Sequence, residues 1–421
     1  MRRDETGEHD AHRHHDGRRR FLQQAAGFAG VTAAGFTSVE AHAAHAVKDG
    51  APTLTTGGGH GTAPSVPFHG LHQAGIVTPQ QSFAAFIAFD VLTEDREELV
   101  ELFKTLTERA RLLVRGRKPK DASVAAEPKT QDALTITVGV GASLFDDRFG
   151  LAPRRPRFLT AMPEFPGDVL DPESCHGDVS LQICARHPDA VVHVIRDIAR
   201  HTNGKLRPRW RADGFLNPAR PSGASRTFVG FKDGIVHPDT KSSKEMDRLV
   251  WVKPSSGEPA WAQDGSYQVI RLIRFHVEAW DRVPIAAQEK IFGRHKASGA
   301  PLDGRREADL PNYRKDPQGK KIPLNAHIRL ANPRTAETAD SLLLRRSYNY
   351  DRGFDTDGSL DLGLAFCCYQ QNVVRQFAAI QRRLAGEPLA EFVSPTGGGY
   401  FFALPGVRNA SDWFGSTLLK T

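Results

Sequence analysis

Apolar and polar positions along the chain lay out one plan twice. Residues 83–91 form an apolar run that predicts a strand. Thr93 is expected to cap a helix whose apolar positions, Leu99, Leu102, Phe103, Leu106 and Ala110, recur at the three- and four-residue spacing of one helical face. A second strand is expected at 134–140. Residues 151–172 contain five prolines and read as a loop. A strand at 179–185, a helix at about 189–200 and a strand near 206–211 follow. The order β-α-β, loop, β-α-β predicts an α+β fold, a ferredoxin-like antiparallel sheet covered by helices on one face.

The second half repeats the plan. Strands are expected at 267–280, 364–369 and 400–404, with a helix at 373–384. Laying Val191, Val192, Ile195 and Ile198 over Val373, Val374, Phe377 and Ile380 gives a constant offset, and each foursome follows an apolar strand. That match predicts duplicated ferredoxin-like halves rather than a short-period solenoid. Residues 67–246 form the expected first domain and 247–421 the second. A long polar insertion, about 286–358, interrupts the second half, and long loops inside compact domains are usually functional.

Composition narrows the function classes. The net charge is +7 on 421 residues, with 39% hydrophobic and 25% charged residues, as in an ordinary soluble protein. So mild an excess, without an aromatic-and-basic repeat, argues against a nucleic-acid partner. It suits arginines that grip an anionic small molecule. No C-x-x-C occurs among the four cysteines, which argues against thiolate zinc, thioredoxin-like redox chemistry and covalent C-x-x-C-H haem. Cysteine count alone leaves a Cys175–Cys184 disulfide open.

The first 46 residues have the pattern of a twin-arginine export signal. Arg18-Arg19-Arg20-Phe21-Leu22 precedes a weakly apolar run, and two Ala-His-Ala sites centred on His42 and His45 offer cleavage points. The run is too short and too rich in Gly and Ala for a permanent anchor. The bland alternative is a disordered basic tail. His9, His12, His14 and His15 would leave with the leader. Residues 47–66, rich in Gly, Thr and Pro, read as a flexible linker.

The chemistry concentrates in three places. Gly230-Phe231-Lys232-Asp233-Gly234 sets one carboxylate between glycines, ahead of Ile235-Val236-His237-Pro238. Such a stretch presents an acid from a stiff turn at a pocket edge, or is an ordinary Asp-Gly turn. His327 lies in Asn325-Ala326-His327-Ile328-Arg329-Leu330-Ala331-Asn332-Pro333-Arg334, and Arg345 follows in the same insertion. Alone, His327 reads as a structural histidine and Arg345 as a surface charge. Together, an imidazole able to bind haem iron and an acid–guanidinium pair able to face an open coordination position form a coherent set.

With these residues the chain resembles the dye-decolourising haem peroxidases, above all their twin-arginine-exported branch, which includes deferrochelatases. The resemblance runs from about Gln73 to the end. It rests on Gly75-Ile76-Val77-Thr78-Pro79-Gln80, Met162-Pro163-Glu164-Phe165-Pro166-Gly167-Asp168, Gly230 to Gly234, Ile291-Phe292-Gly293-Arg294-His295-Lys296, His327 to Arg334, and Gly397-Gly398-Gly399-Tyr400-Phe401-Phe402. It implies two ferredoxin-like halves with non-covalent haem b held in the second. It implies His327 as the iron ligand, Asp233 as the distal acid and Arg345 as the distal arginine. Gly234, Ile235, Val236, Arg294, Asn332, Pro333 and Arg334 match positions that line the haem, with Arg294 and Arg334 suited to the propionates. Glu391 is the expected acid behind His327. His237 departs from the pattern, where relatives commonly have Asn.

The implied reaction reduces hydrogen peroxide and oxidises dyes or other small reductants by single electrons. Asp233 would shuttle the proton and Arg345 stabilise developing negative charge. Release of iron from haem with the porphyrin intact would use the same pocket, and so would a haem carrier, although a carrier needs no proton shuttle. The expected partners are hydrogen peroxide, a reducing small molecule and, during export to periplasm or medium, the twin-arginine translocon. The oligomeric state stays open, a homo-oligomer included.

Overall fold

The structure, a computed structural model, describes residues 66–116 and 132–420. The expected leader lies outside them, as does the linker 47–66 except for its last residue. The first half runs β1 (Phe83–Val91), α1 (Arg96–Val114), β2 (Thr135–Gly141), β3 (Val179–Ala185), α2 (Pro188–His201) and β4 (Leu206–Phe215). After α3 (Ser243–Leu249), the second half contains β5 (Ser266–Phe275), α4 (Ile285–Phe292), α5 (His327–Ala331), β6 (Leu344–Arg345), β7 (Tyr348–Phe354), β8 (Leu360–Gln370), α6 (Ala379–Leu384) and β9 (Val393–Ala403).

All pairings between these strands are antiparallel. The first half has the order β2-β3-β1-β4 and the second β7-β8-β5-β9, with β6 extending β7 along β8. Each is the order of a ferredoxin-like sheet, so the fold is the duplicated α+β arrangement. The halves join through Phe215 opposite Asn349 and through Gly139–Gly141 against β9. Because β5 pairs with both β8 and β9, the sheet closes on itself. Strand alternation sorts side chains onto its two faces. Phe86, Trp210, Tyr348, Tyr369 and Phe401 pack inside, while Ile87, Phe89, Leu181 and Ile183 meet α1 and α2 outside.

Several local expectations shift. Asp95, not Thr93, caps α1: its carboxylate accepts from Glu98 N–H at 2.9 Å, and Glu98 reaches back to Glu94 N–H, a more complete box than a lone hydroxyl offers. The strand expected at 267–280 stops at Phe275, where the chain turns into the helical turn Val277–Trp280 that buries Trp280. The insertion at 286–358 is not irregular throughout, since α4, α5, β6 and β7 lie within it. The 182-residue offset pairs equivalent elements, as α2 and the π-turn Val374–Ala378 with α6 each follow the third strand of their half. Its second position faces outward in both, Val192 and Val374 being exposed. The Cys175–Cys184 bridge is not formed. All four cysteines are buried free thiols, with Cys184 near the end of β3 opposite Ala84 and Cys175 in a backbone β-bridge with Gly398.

Candidate active site

A cavity of about 310 Å³ opens in the second half, and the three chemical motifs converge on it. Its apolar wall comes from the outward faces of β5 and β8, namely Ile273, Phe275, Leu364 and Phe366, together with Val229, Phe231 and Phe292. Asp233, Gly234, Ile235, Val236, Arg294, His327, Asn332, Arg334 and Arg345 all line it. Pro333 does not; it is half-buried between two residues that do.

The Asp233 turn is stiff for identifiable reasons. Thr227 N–H bonds Phe231 O at 2.9 Å, and Asp233 N–H bonds Ser225 O at 3.0 Å. Gly230, at φ +84, admits the Lys296 chain where a side chain would otherwise stand. Phe231 stacks on Phe292 with centroids 4.0 Å apart, and Phe292 in turn meets Trp280 and His327. The turn carrying the acid and the helix carrying the histidine therefore share one aromatic block.

Asp233 receives Gly234 N–H at 2.7 Å and lies 3.1 Å from Arg345 Nη1. Burial pushes its carboxyl up, but the Arg345 guanidinium and the Gly234 N–H outweigh that. The net position is below the usual aspartate value, so the acid is ionised when the cavity is empty. His237 offers Nδ1 to Arg345 N–H at 3.4 Å. Burial and the neighbouring Arg345 hold this imidazole neutral down to about pH 4.

His327 opens α5, and its Nδ1 is 2.8 Å from Glu387 Oε2. Burial disfavours the charged imidazole, yet the Glu387 carboxylate more than offsets it and raises the histidine's pKa. The ring's Nε2 has no hydrogen-bond partner among the described residues. Glu391, expected behind this histidine, is exposed one turn later, because Pro388 starts a 3₁₀ turn that carries it outward and leaves buried Glu387 facing α5. Arg383 from α6 donates to Leu330 O and Ala331 O at 3.1 and 2.9 Å, tying down the C-terminus of α5 where a cation is favoured.

Two arginines, Arg294 and Arg334, stand together at another part of the wall. Arg294 is 6% exposed and its pKa is lowered, by burial first and by Arg334 and Arg345 further. Arg334 adopts φ +58, and its Nε is buried with no hydrogen-bond partner among the described residues, as is the Tyr313 hydroxyl beside it. Burial pushes Tyr313 up to about 12 against the pull of these arginines. Unpaired donors and strained backbone at a cavity wall point to a ligand that supplies acceptors. An apolar slot, an imidazole with one free nitrogen and a cationic corner fit a flat, dianionic metalloporphyrin. Sequence reasoning missed Glu387, Tyr313 and Arg383; their only signal is position relative to α5, which requires the fold.

Comparison with known proteins shows the family. Residues 73–216 match the sequence model for "Dyp-type peroxidase, N-terminal" and residues 224–408 that for "Dyp-type peroxidase, C-terminal". The chain is 50% identical over 368 residues to the deferrochelatase of Escherichia coli K12, covering 84% of this chain and 87% of that one. The crystal structure of a DyP-type peroxidase from Cellulomonas bogoriensis superposes with a TM-score of 0.78 at 36% identity, covering 85% of this chain and 98% of that one. Ferric DtpA from Streptomyces lividans gives 0.79 at 33% identity, over 86% and 98%. The chain belongs to the DyP-type peroxidase family of haem enzymes.

Proposed function

We propose that this protein is a haem b peroxidase in which His327 would hold the haem iron and Asp233 with Arg345 would handle hydrogen peroxide. The observation that carries the assignment is the 3.1 Å Asp233–Arg345 pair in the same cavity as a histidine fixed by Glu387. Bound haem supplies a one-electron redox centre with an open coordination position. Everything else falls to the chain's own groups. Glu387 holds the imidazole's orientation and strengthens it as a donor. Arg294, Arg334 and Tyr313 supply donors for the propionates. Asp233, ionised beforehand, accepts a proton from one peroxide oxygen and returns it to the other, which leaves as water. Arg345 carries permanent charge beside that oxygen and stabilises the negative charge that builds as the O–O bond breaks. Hydrogen peroxide, two protons and two electrons delivered singly by small reductants give two waters, the second from the oxygen that stays behind when the first water leaves.

The test is an absorption spectrum of the purified protein before and after peroxide. A haem band that shifts on adding peroxide, and returns on adding a reducing dye, is the expected result. A protein isolated with haem that peroxide leaves unchanged would rule the assignment out. A second reading, release of iron from haem with the porphyrin intact, is favoured by the 50% identity to a deferrochelatase. Incubation with haem and a reductant, scored for metal-free porphyrin, separates the two. Export by the twin-arginine route rests on Arg18-Arg19 and the Ala-His-Ala sites. Replacing both arginines with Lys should trap a folded precursor inside the cell, and unimpaired export of that variant would refute the route.

A further inference from the structure

The stretch Gly75-Ile76-Val77-Thr78-Pro79-Gln80-Gln81 belongs to the first half and contributes no residue to the cavity wall. Its hydrogen bonds nevertheless converge on the short strand that bears Arg345. Arg346 Nη1 donates to Thr78 O, and Nη2 donates to Gln81 Oε1 at 2.8 Å. Gln80 Nε2 donates to Ser347 O at 2.8 Å. The stretch is itself anchored. Gln81 Nε2 reaches Ala133 O and Thr135 Oγ1 at 2.8 and 3.0 Å, Thr78 Oγ1 accepts from Gly75 N–H at 3.0 Å, and Ile76 is buried in the interior cluster.

Arg346 is an unusual residue to bury. It is 4% exposed, no carboxylate pairs with it among the described residues, and its Nε has no partner. Its neighbours are the neutral side chains of Tyr348, Tyr369, Cys184 and Cys367. An aliphatic residue would suit that interior at lower cost. What an aliphatic residue could not do is reach a main-chain carbonyl and an amide oxygen at once with a rigid fork. Meanwhile β6 is only two residues long, held by the positions Leu344–Tyr369 and Arg345–Cys368. Neighbouring residues of an extended chain point to opposite sides. Drawing Arg346 into the interior therefore turns Arg345 out into the cavity, where it meets Asp233.

We propose that Arg346, gripped by residues 78 and 81, is the positioning residue for Arg345, so that the first half fixes the charge the second half presents to peroxide. The proposal rests on Arg345 acting on the peroxide side. Charge stabilisation tolerates only a fraction of an ångström of misplacement, and a two-residue strand cannot supply that rigidity alone. The residues matched at 75–80 thereby gain a role that the cavity lining does not reveal.

The experiment uses the ferric haem protein and reads fluoride affinity from the absorption spectrum, alongside melting temperature and the rate with peroxide. A small bound anion depends on the same guanidinium that peroxide does. Arg345→Leu should weaken fluoride by about tenfold or more. Arg346→Met should weaken it several-fold with haem and its axial ligation retained, and Arg346→Lys should recover part of the loss. Gln80 is exposed, so Gln80→Ala folds whatever Arg346→Met does, and it should give a smaller weakening of the same sign. If Arg345→Leu weakens fluoride while Arg346→Met and Gln80→Ala only lower the melting temperature, the residues are structural and the proposal fails. Should Arg346→Met not fold, parent affinity in Gln80→Ala overturns it. If Arg345→Leu itself keeps parent affinity, the reading of Arg345 is what fails, and this inference falls with it.

Discussion

The two halves share one strand order and use it for different ends. In the first, the chain passes from β1 to β2 through the 19-residue α1 and from β3 to β4 through the 14-residue α2. Leu99, Leu102, Phe103, Leu106, Val191 and Ile198 fill the outward face of the sheet completely. In the second, the equivalent passage from β5 to β7 carries short pieces, the helical turn Val277–Trp280, α4, α5 and β6, and no long helix. The passage from β8 to β9 is a π-turn and the six-residue α6. On β5 and β8 the outward residues Ile273, Phe275, Leu364 and Phe366 are also apolar, yet they wall a cavity. Duplication lets one half carry packing stability while the other leaves its helix layer incomplete, and the cavity stands where a long helix would have covered the sheet.

The sharpest way to test that contrast is to damage each half separately. His327→Ala should give folded protein that retains little haem, read as the ratio of haem to protein absorbance. Leu102→Ala in α1 should keep full haem occupancy and lose about 2–5 kcal/mol of stability, because it empties a fully buried site. If the helix substitution also empties the pocket, the halves are not separable in this way. Full haem occupancy with an unchanged spectrum in His327→Ala would move the axial ligand elsewhere.

Within the cavity the acid and the guanidinium should fail differently. Arg345→Leu removes a charge that never titrates, so the reaction with peroxide should slow at every pH, by on the order of 10²-fold or more. Asp233→Asn keeps the volume but cannot accept a proton. Its reaction should slow and lose the acid-side pH dependence, because the carboxyl it replaces titrates below the ordinary aspartate range. Stopped-flow mixing across a pH series distinguishes these patterns, and parent rates in both variants would end the proposed role of the pair.

A smaller effect separates the two glutamates near α5. Glu387→Gln keeps the shape but weakens the hold on His327 Nδ1, and haem affinity should fall about 10–100-fold, as for other partners of metal-binding histidines. Glu391→Gln should change nothing, since that side chain is exposed. Haem titration of the two apoproteins reads both, and the reverse ranking would restore Glu391.

What the sequence made legible follows from range. Apolar periodicity located β1, α1, β3 and α2 closely, since it needs only neighbours along the chain. It ran past Phe275 because Trp280 is apolar whether it sits in a strand or is buried by a helical turn. It missed β7, whose Tyr350-Asp351-Arg352 half is exposed beyond the tyrosine. Of the site, His327, Asp233 and Arg345 were legible as motifs. The partner of His327 was not, because Glu387 and Glu391 sit in the same turn and only its direction chooses between them. The role of Arg346 was hidden similarly, in bonds to residues more than 260 positions away.

The least effect belongs to His237, which tests the electrostatics of the distal edge rather than its chemistry. In the fold, burial and then Arg345 press its pKa down to about 4, Arg346 adds to this, and Asp233 opposes it. Unfolded, the imidazole takes its proton near pH 6.5. Above that pH neither state is protonated and the residue contributes nothing. As pH falls from about 6.5 towards 4, the unfolded chain binds a proton that the folded chain does not, so stability declines; below 4 the loss levels off. His237→Asn removes this linkage. Its melting temperature should match the parent's near pH 7.5 and exceed it increasingly towards pH 4. The ring packs into the distal edge on one side and meets solvent on the other, so screening keeps the gain below about 1 kcal/mol. Parallel curves for parent and variant across that window would mean that the imidazole is already charged in the fold, and that the distal edge carries one more positive charge than the geometry assigns to it.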